Sequence, residues 1–317
     1  MSQFPLSLGA HVGQQNMTMD EMRALWRRLD EAGCDWISAW DHIYEAPPAG
    51  GTLPHFEGVA TLGALAADTT NARLGCLVFY VGYRNPGLLA KAAVTIDHIS
   101  GGRFELGIGG GWHEWEAKAY GYDFPSVGTR LDMLDEATEL ITSLLTQERT
   151  TFQGTHYRAE DASCLPPPVR GHLPLWIGGV GEKRTLKTVA AKANGWNAAY
   201  IPPDEFGRLN GVLDQWCEKL GRDPGTIERS VNLMFLMGAD QAGADRAEAA
   251  LAAQWGPMAD RVKGGAIGGL PEQAIDTVNR YLDAGADMVN IALRAPFDQE
   301  ALEAYLTEVM PTVRASR

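Results

Sequence analysis

The chain has 317 residues, of which 45% are hydrophobic and 21% charged, and its formal net charge is −13. Such a composition is typical of a globular protein with a sizeable core. The acidic balance disfavours non-specific attraction to nucleic acid or to anionic lipid, so we expect neither as a partner. No stretch approaches the ~18 uninterrupted apolar residues of a membrane span. The N-terminus also lacks the pattern of a secretion signal.

The predicted elements alternate between short apolar strands and longer helices along nearly the whole chain. The predicted strands cover residues 4–10, 35–40, 73–80, 103–109, 173–179, 195–200, 230–237 and 287–293. A capping box, Thr18 to Glu21, begins a first helix that ends at Gly33. Helical patterns follow at 57–69, 86–100, 129–147, 181–193, 203–220, 240–255, 271–284 and 298–310.

Eight strands that alternate with helices predict an α/β fold with a parallel sheet covered by helices. Closure of eight such units gives a (β/α)8 TIM barrel, which usually takes roughly 250 residues, and we predict a single domain over 1–317. A doubly wound sheet would require G-x-G-x-x-G directly after the first strand, where this chain has LGAHVGQQN.

The residues beyond a minimal barrel fall mainly at 148–174. This segment contains alternating β patterns and a Pro-Pro-Pro run but no helix. We predict that it is an insertion after the fourth βα unit that crosses the barrel near its mouth. A surface hairpin without function is the alternative.

The cysteines and histidines give no sign of a metal site. Cys34, Cys76, Cys164 and Cys217 are far apart without paired spacing, as expected for reduced thiols in a cytoplasmic protein. No two histidines have i, i+3 or i, i+4 spacing, so we predict no bound metal.

Ligand chemistry in a TIM barrel is built at the C-terminal ends of the strands. The second predicted strand ends in Asp41 and His42, a candidate proton donor or acceptor beside an acid. An imidazole held by Asp41 or by backbone is the structural alternative, and a structural role is favoured for His11. For His113 and Glu114, the alternative to a role in the site is that they form only the first turn of a helix. The other polar residues at strand ends are Tyr80, Tyr83, Arg84, Asn85, Tyr200 and Arg294.

Two glycine-rich turns also follow strands. Gly109, Gly110 and Gly111 have the space to admit a flat ring. The second turn, 178–181, precedes a helix whose first N–H groups favour an anion such as phosphate. Tight βα turns without a ligand are the alternative. No G-x-S-x-G motif indicates a hydrolase.

The stretches WDHIY, RLGCLVFYVGYRNPGLLAKAAVTIDHISGGRFELGIGGGWHEWEAKAYG, LPLWIGGVGEKRTLKTVAAKANGWN and LEAYLTEVMPTVR closely resemble the bacterial luciferase-like superfamily. The resemblance covers nearly the whole chain and is strongest to the branch of oxidoreductases that depend on coenzyme F420, a deazaflavin. It implies a TIM barrel, usually as a homodimer.

The resemblance implies roles for particular residues. Asp41 and His42 would be catalytic, with His42 near the reactive ring carbon and Asp41 orienting it. The implied cofactor-binding residues are Leu77 and Val78, joined by a non-proline cis peptide, with Gly109, Gly110, Gly111, Trp112, Gly178, Gly179 and Gly181. We predict a substrate pocket from His11, Tyr80, His113 and Tyr200.

The activity implied is hydride transfer between deazaflavin C5 and a small organic substrate. An FMN-dependent monooxygenase and a non-catalytic flavin-binding protein are the alternatives. Two departures argue against a glucose-6-phosphate dehydrogenase. Trp112 stands where that branch has a glutamate, and Ala46 where it has a tryptophan.

Overall fold

The computed structural model describes residues 3–45 and 50–317, so Ala46 lies outside the described residues. The strands are β1 (Ser7–Val12), β2 (Trp36–Ala39), β3 (Arg73–Cys76), β4 (Phe79–Tyr80), β5 (Phe104–Gly109), β6 (Thr150–Gln153), β7 (Arg158–Ala162), β8 (Leu175–Gly178), β9 (Gly195–Ala199), β10 (Glu228–Met237), β11 (Ala266–Gly269) and β12 (Met288–Leu293). The helices are α1 (Met19–Glu31), α2 (Gly58–Asp68), α3 (Pro86–Ile99), α4 (Glu114–Ala119), α5 (Val127–Thr146), α6 (Thr185–Lys192), α7 (Pro203–Leu220), α8 (Gln241–Trp255), α9 (Ala259–Lys263), α10 (Pro271–Asp283), α11 (Gln299–Ala304) and α12 (Met310–Ala315).

Eight parallel strands close into a barrel in the order β1, β2, β3, β5, β8, β9, β10 and β12, and β12 pairs with β1. The short strand β4 continues β3 along β5. Strand β11 is an addition that pairs with the last residues of β10. The predicted (β/α)8 TIM barrel is therefore confirmed.

The barrel strands are buried on both faces. All residues of β1, β2, β5 and β12 are buried, because their inward side chains fill the barrel and their outward ones pack beneath helices. At the N-terminal end, Arg73 pairs with Glu105 at 3.1 Å and with Glu228 at 2.7 Å. The two glutamates of this ion-pair cluster are buried, Arg73 is partly exposed, and the cluster lies at the floor of the barrel, opposite the end described below.

Most predicted elements are present, with shifted ends. The capping box at Thr18 and Glu21 begins α1 as predicted. The predicted strand 73–80 is broken between β3 and β4, where the Leu77–Val78 peptide is cis, as the resemblance implied. Helix α6 begins at Thr185 instead of 181, because the glycine turn extends further, with Gly179 at φ +130°. Among the described helices, none is both long and apolar enough to cross a membrane.

The segment 148–174 begins with an antiparallel hairpin of β6 and β7. Glu136 of α5 accepts N–H groups of the hairpin turn, and Tyr157 donates its hydroxyl to the carbonyl of Val81 at 2.9 Å. Further along, the Val169 N–H donates to Asp97 of α3. The hairpin therefore contacts the loop after β4, beside the mouth, but no described residue of 148–174 lines the cavity described below. Its placement as an insertion across the mouth stays a prediction.

Candidate active site

A cavity of about 620 Å³ lies at the C-terminal ends of the barrel strands. Its wall is mostly aliphatic and aromatic, with a few polar groups, which is the usual character of a small-molecule site. All the predicted site residues line it, namely His11, Asp41, His42, Leu77, Val78, Tyr80, Gly109, Gly110, Gly111, Trp112, His113, Gly178, Gly179, Gly181 and Tyr200. Their proximity is thus a feature of the structure, while their individual roles stay predictions.

His42 is held by a glutamate from another part of the chain. Its Nδ1 lies 2.7 Å from Oε1 of Glu116 in α4, and only 3% of the Glu116 side chain is exposed. The other carboxylate oxygen accepts the N–H groups of Ile43 and Tyr44. Burial alone would raise the pKa of Glu116, but the hydrogen bonds from His42 and Ile43 lower it. Because an ionised carboxylate only accepts, the proton of the His42 imidazole lies on Nδ1, and Nε2 is left for a ligand.

Asp41 does not orient His42, which corrects the role implied for it. Its carboxylate accepts the Tyr80 N–H at 3.0 Å and pairs with Arg84 at 2.7 Å. Arg84 also binds Glu57 at 2.6 Å. Burial raises the pKa of Asp41 to about 7, and the Arg84 guanidinium opposes that rise. Asp41 thus joins the end of β2 to the loop that begins at β4.

His11 is buried at the end of β1. Its Nδ1 lies 2.8 Å from the Ser38 hydroxyl, and its ring meets the Trp40 ring edge-on at 5.3 Å between centroids. Burial, with smaller contributions from the charges of Arg294 and His42, lowers the pKa of His11 to about 3. The imidazole is therefore neutral near pH 7, so His11 contributes a hydrogen-bonding group to the cavity wall but no charge.

The glycines at the cavity wall make room for neighbouring protein side chains as well as for the cavity. A Cβ at Gly109 or Gly178 would come within 2.7 or 2.8 Å of Val78, and one at Gly111 within 2.5 Å of the Tyr80 ring. These glycines therefore let Val78 and Tyr80 lie against the wall, in addition to the ring predicted at 109–111 and the anion predicted at the turn 178–181. This part of the wall is formed by Val78, between β3 and β4, and by the ends of β5 and β8.

The second glycine turn leads into α6. Arg184 precedes this helix, and no side chain of the described residues caps its first N–H groups, although the Leu186 N–H donates to the Gly181 carbonyl at 3.0 Å. Gly179, Gly181 and Thr185 line the cavity, so the start of α6 borders the space in which an anion is favoured by the helix dipole.

The alternative given for His113 is confirmed in part, because His113 is the N-cap of α4 and accepts the Glu116 N–H at 3.3 Å. Glu114 is exposed and pairs with Lys118 at 2.6 Å. Sequence reasoning missed Glu116, which lies in the first turn of α4 and beyond the strand end. Its spacing of three from His113 was the signal available.

His42, His113 and Glu116 also bring three potential metal-ligand atoms within 4.8 Å of one another. The prediction that no metal is bound rested on the spacing of histidines along the chain. That spacing gives no information on contacts between residues distant in sequence. Hydrogen bonds to His42, Ile43 and Tyr44 already account for both oxygens of Glu116.

Comparisons with known proteins agree with this architecture. The family model described as luciferase-like monooxygenase matches residues 4–281. An uncharacterized Mycobacterium tuberculosis protein, Rv0953c, is 35% identical over 51% of this chain and 56% of its own length, so the matched region spans little more than half of that relative. The F420-dependent glucose-6-phosphate dehydrogenase of Nocardia farcinica is 26% identical over 98% of both chains. A solved F420-dependent secondary alcohol dehydrogenase, in complex with an F420–acetone adduct, superposes with a TM-score of 0.87 at 19% identity, over 98% of this chain and 99% of that one.

Proposed function

The chain belongs to the luciferase-like monooxygenase family, and on that premise we propose that it is an oxidoreductase that uses coenzyme F420 to exchange a hydride with a small organic substrate. The observation that carries the proposal is the fixed imidazole of His42, which borders a large apolar cavity with Nε2 free of other partners among the described residues. The names of the Nocardia dehydrogenase and of the alcohol dehydrogenase support the choice of cofactor.

The cavity fits a flat cofactor that carries a phosphate. The Val78 side chain packs against Gly109 and Gly178, and these three residues form a part of the wall against which a ring system would lie. The uncapped start of α6, with Gly179 and Gly181, offers N–H groups for the phosphate. Coenzyme F420, when bound, supplies hydride exchange at its C5 position.

The residues of this chain would orient the substrate, exclude water and move one proton. Glu116 keeps the proton of His42 on Nδ1, so that Nε2 accepts a proton from a substrate hydroxyl as the carbon loses hydride. In the opposite direction the imidazolium returns that proton to a carbonyl oxygen. The ring of Trp112, 5.3 Å from that of His42, borders the imidazole from the mouth and limits the access of water.

The test is a His42→Ala variant compared with a His156→Ala control, since His156 is exposed in the hairpin and outside the cavity wall. Deazaflavin binding is measured by fluorescence titration, and turnover with a panel of secondary alcohols, ketones and enones. We expect both variants to bind the cofactor and only His42→Ala to lose at least about 100-fold in turnover. Failure of the wild-type protein to bind F420, or wild-type turnover in His42→Ala, would contradict the proposal.

An FMN-dependent monooxygenase is the second candidate, because the description of the matching family model names monooxygenase activity. Reduced FMN reacts with oxygen, whereas the deazaflavin exchanges hydride. Two measurements distinguish the two candidate functions. Oxygen uptake by the protein with reduced FMN would indicate the monooxygenase, and binding in a titration with F420 would indicate the F420-dependent oxidoreductase. A non-catalytic flavin-binding protein would have no need for the Glu116–His42 pair. We also propose a homodimer, which sedimentation of the purified protein tests directly.

A further inference from the structure

Arg294, at the end of β12, is a cation without a carboxylate partner in the described part of the chain. Its guanidinium lies 5.5 Å from the centroid of the Trp40 ring and 5.1 Å from that of the Tyr200 ring. It donates one hydrogen bond, from Nη2 to the Tyr200 hydroxyl at 3.2 Å. Its Nε is buried without a partner. A buried donor left unsatisfied is costly, which favours a ligand that accepts from it.

Among the described residues of the cavity wall, Arg294 is also the charged side chain that has no partner of opposite charge. Asp41 is paired with Arg84, and Glu116 with His42. The chain has 40 acidic against 27 basic residues, so acids are abundant, yet within residues 3–45 and 50–317 none forms an ion pair with this guanidinium. The rings of Trp40 and Tyr200 hold it through cation–π contacts and leave its remaining N–H groups to a ligand.

The position of Tyr200 strengthens this arrangement. Tyr200 has φ +57°, which residues other than glycine seldom adopt. Its N–H donates to the Asn232 carbonyl at 2.9 Å, and Gly265 packs so closely against its backbone that a Cβ there would collide. The backbone of the tyrosine that contacts Arg294 is thus itself held in one place.

Arg294 faces the glycine wall from the opposite side of the barrel. Strand β12 lies four strands from β5 in either direction around the ring. If a cofactor ring lies against Val78 and Gly109, Arg294 borders the remaining space, together with His11 and Tyr200. Trp40 links Arg294 to the reacting end, because the same ring lies 5.9 Å from that of His42.

We propose that Arg294 binds a carboxylate of the substrate, so that the substrate class is a hydroxy- or oxo-carboxylic acid. This inference rests on the proposed function for the place of the cofactor. The planar guanidinium would bind the carboxylate through two N–H groups while the hydroxyl or carbonyl group lies at His42. In oxidation, bound F420 would take up the hydride that the carbon bearing the hydroxyl loses, His42 Nε2 would accept the O–H proton, and a carbonyl would be formed. Reduction reverses both transfers.

The test measures binding of mandelate, a hydroxy acid, and of its neutral amide mandelamide by calorimetry. The proteins are wild type, Arg294→Met, Arg294→Lys and the control Arg149→Met, whose arginine is exposed on the hairpin. We expect wild type and Arg149→Met to prefer mandelate at least about tenfold, Arg294→Lys to keep part of the preference, and Arg294→Met to lose it. Equal binding of both compounds by wild type, or an undiminished preference in Arg294→Met, would overturn the proposal. The lysine variant keeps the charge should the methionine variant fold poorly.

A second measurement distinguishes the two anionic groups that Arg294 could bind, a carboxylate of the substrate and the ring of the cofactor. If Arg294 instead neutralised an anionic cofactor ring, Arg294→Met would weaken F420 binding about tenfold and leave the mandelate preference intact, which would also overturn the proposal. We expect its F420 affinity to stay within about twofold of wild type. Should the protein not bind F420 at all, the proposed function fails, while the mandelate comparison on the cofactor-free protein still decides the role of Arg294.

Discussion

The imidazole Nδ1 of His42 and the carboxylate of Glu116 lie 2.7 Å apart, although 74 residues separate them in the chain. Glu116 also accepts the N–H groups of Ile43 and Tyr44, so one carboxylate fixes both the ring and the backbone that follows it. This relationship makes Glu116 a positioning residue, and it gives the first prediction.

Glu116→Gln should lower kcat by about 10- to 100-fold with a much smaller change in KM and in F420 affinity. A neutral amide does not stabilise a charged imidazole and does not enforce the Nδ1–H form. Steady-state kinetics and fluorescence titration measure the two effects. Glu114→Gln is the matched control, because Glu114 lies on the same short helix, exposed and paired with Lys118. Equal losses in both variants would show that Glu116 has no special role.

His11 should make the protein sensitive to acid. Its pKa is lowered from 6.5 to about 3 in the folded state, so the unfolded chain binds the proton first and stability falls as the pH drops below about 6.5. Between pH 7 and pH 4.5 this group alone should cost about 2–3 kcal/mol of unfolding free energy. Urea denaturation at several pH values tests this, and His11→Gln should flatten the dependence. An identical pH dependence in that variant would rule out His11 as its source.

Activity should not require a metal. Both oxygens of Glu116 are occupied by hydrogen bonds, so dialysis against EDTA is expected to leave turnover unchanged. Added Zn²⁺ should instead inhibit by binding His42, His113 and Glu116, whose ligand atoms lie within 4.8 Å of one another. The inhibition should weaken in His113→Ala. Loss of activity with EDTA that Zn²⁺ restores would identify the cluster as a metal site.

Gly109→Ala should damage the wall on which the cofactor is proposed to lie. The added Cβ would come 2.7 Å from Val78 Cγ2, and the overlap should cost about 1–3 kcal/mol in unfolding free energy and weaken F420 binding. Gly63→Ala is the control, since no atom lies within 4 Å of a Cβ placed at that position in α2. Thermal melting and fluorescence titration provide the readouts. Unchanged F420 affinity in Gly109→Ala would place the cofactor elsewhere.

The sequence was a reliable guide to the architecture and to the location of the site. Apolar strand segments and helical segments with a 3.6-residue period are both recognised from residues that are close in the chain. Their alternation therefore made the barrel predictable. Because parallel strands direct their C-terminal ends to one side, residues chosen at those ends, such as His11, His42 and Gly178, had to meet in one cavity. Strand ends were less well predicted, as for β1, because the tertiary pairing sets them.

The partners of the polar side chains were decided by the tertiary structure alone. Asp41 and His42 are adjacent in the chain just beyond the end of β2, yet their side chains have different partners. Asp41 turned toward Arg84 and Tyr80, and His42 toward Glu116. The chain by itself fixed which chemical groups reach the barrel mouth. Only the packing of α4 and of the loop after β4 against that mouth decided which of them hold one another and which, like Arg294, remain free to bind a ligand.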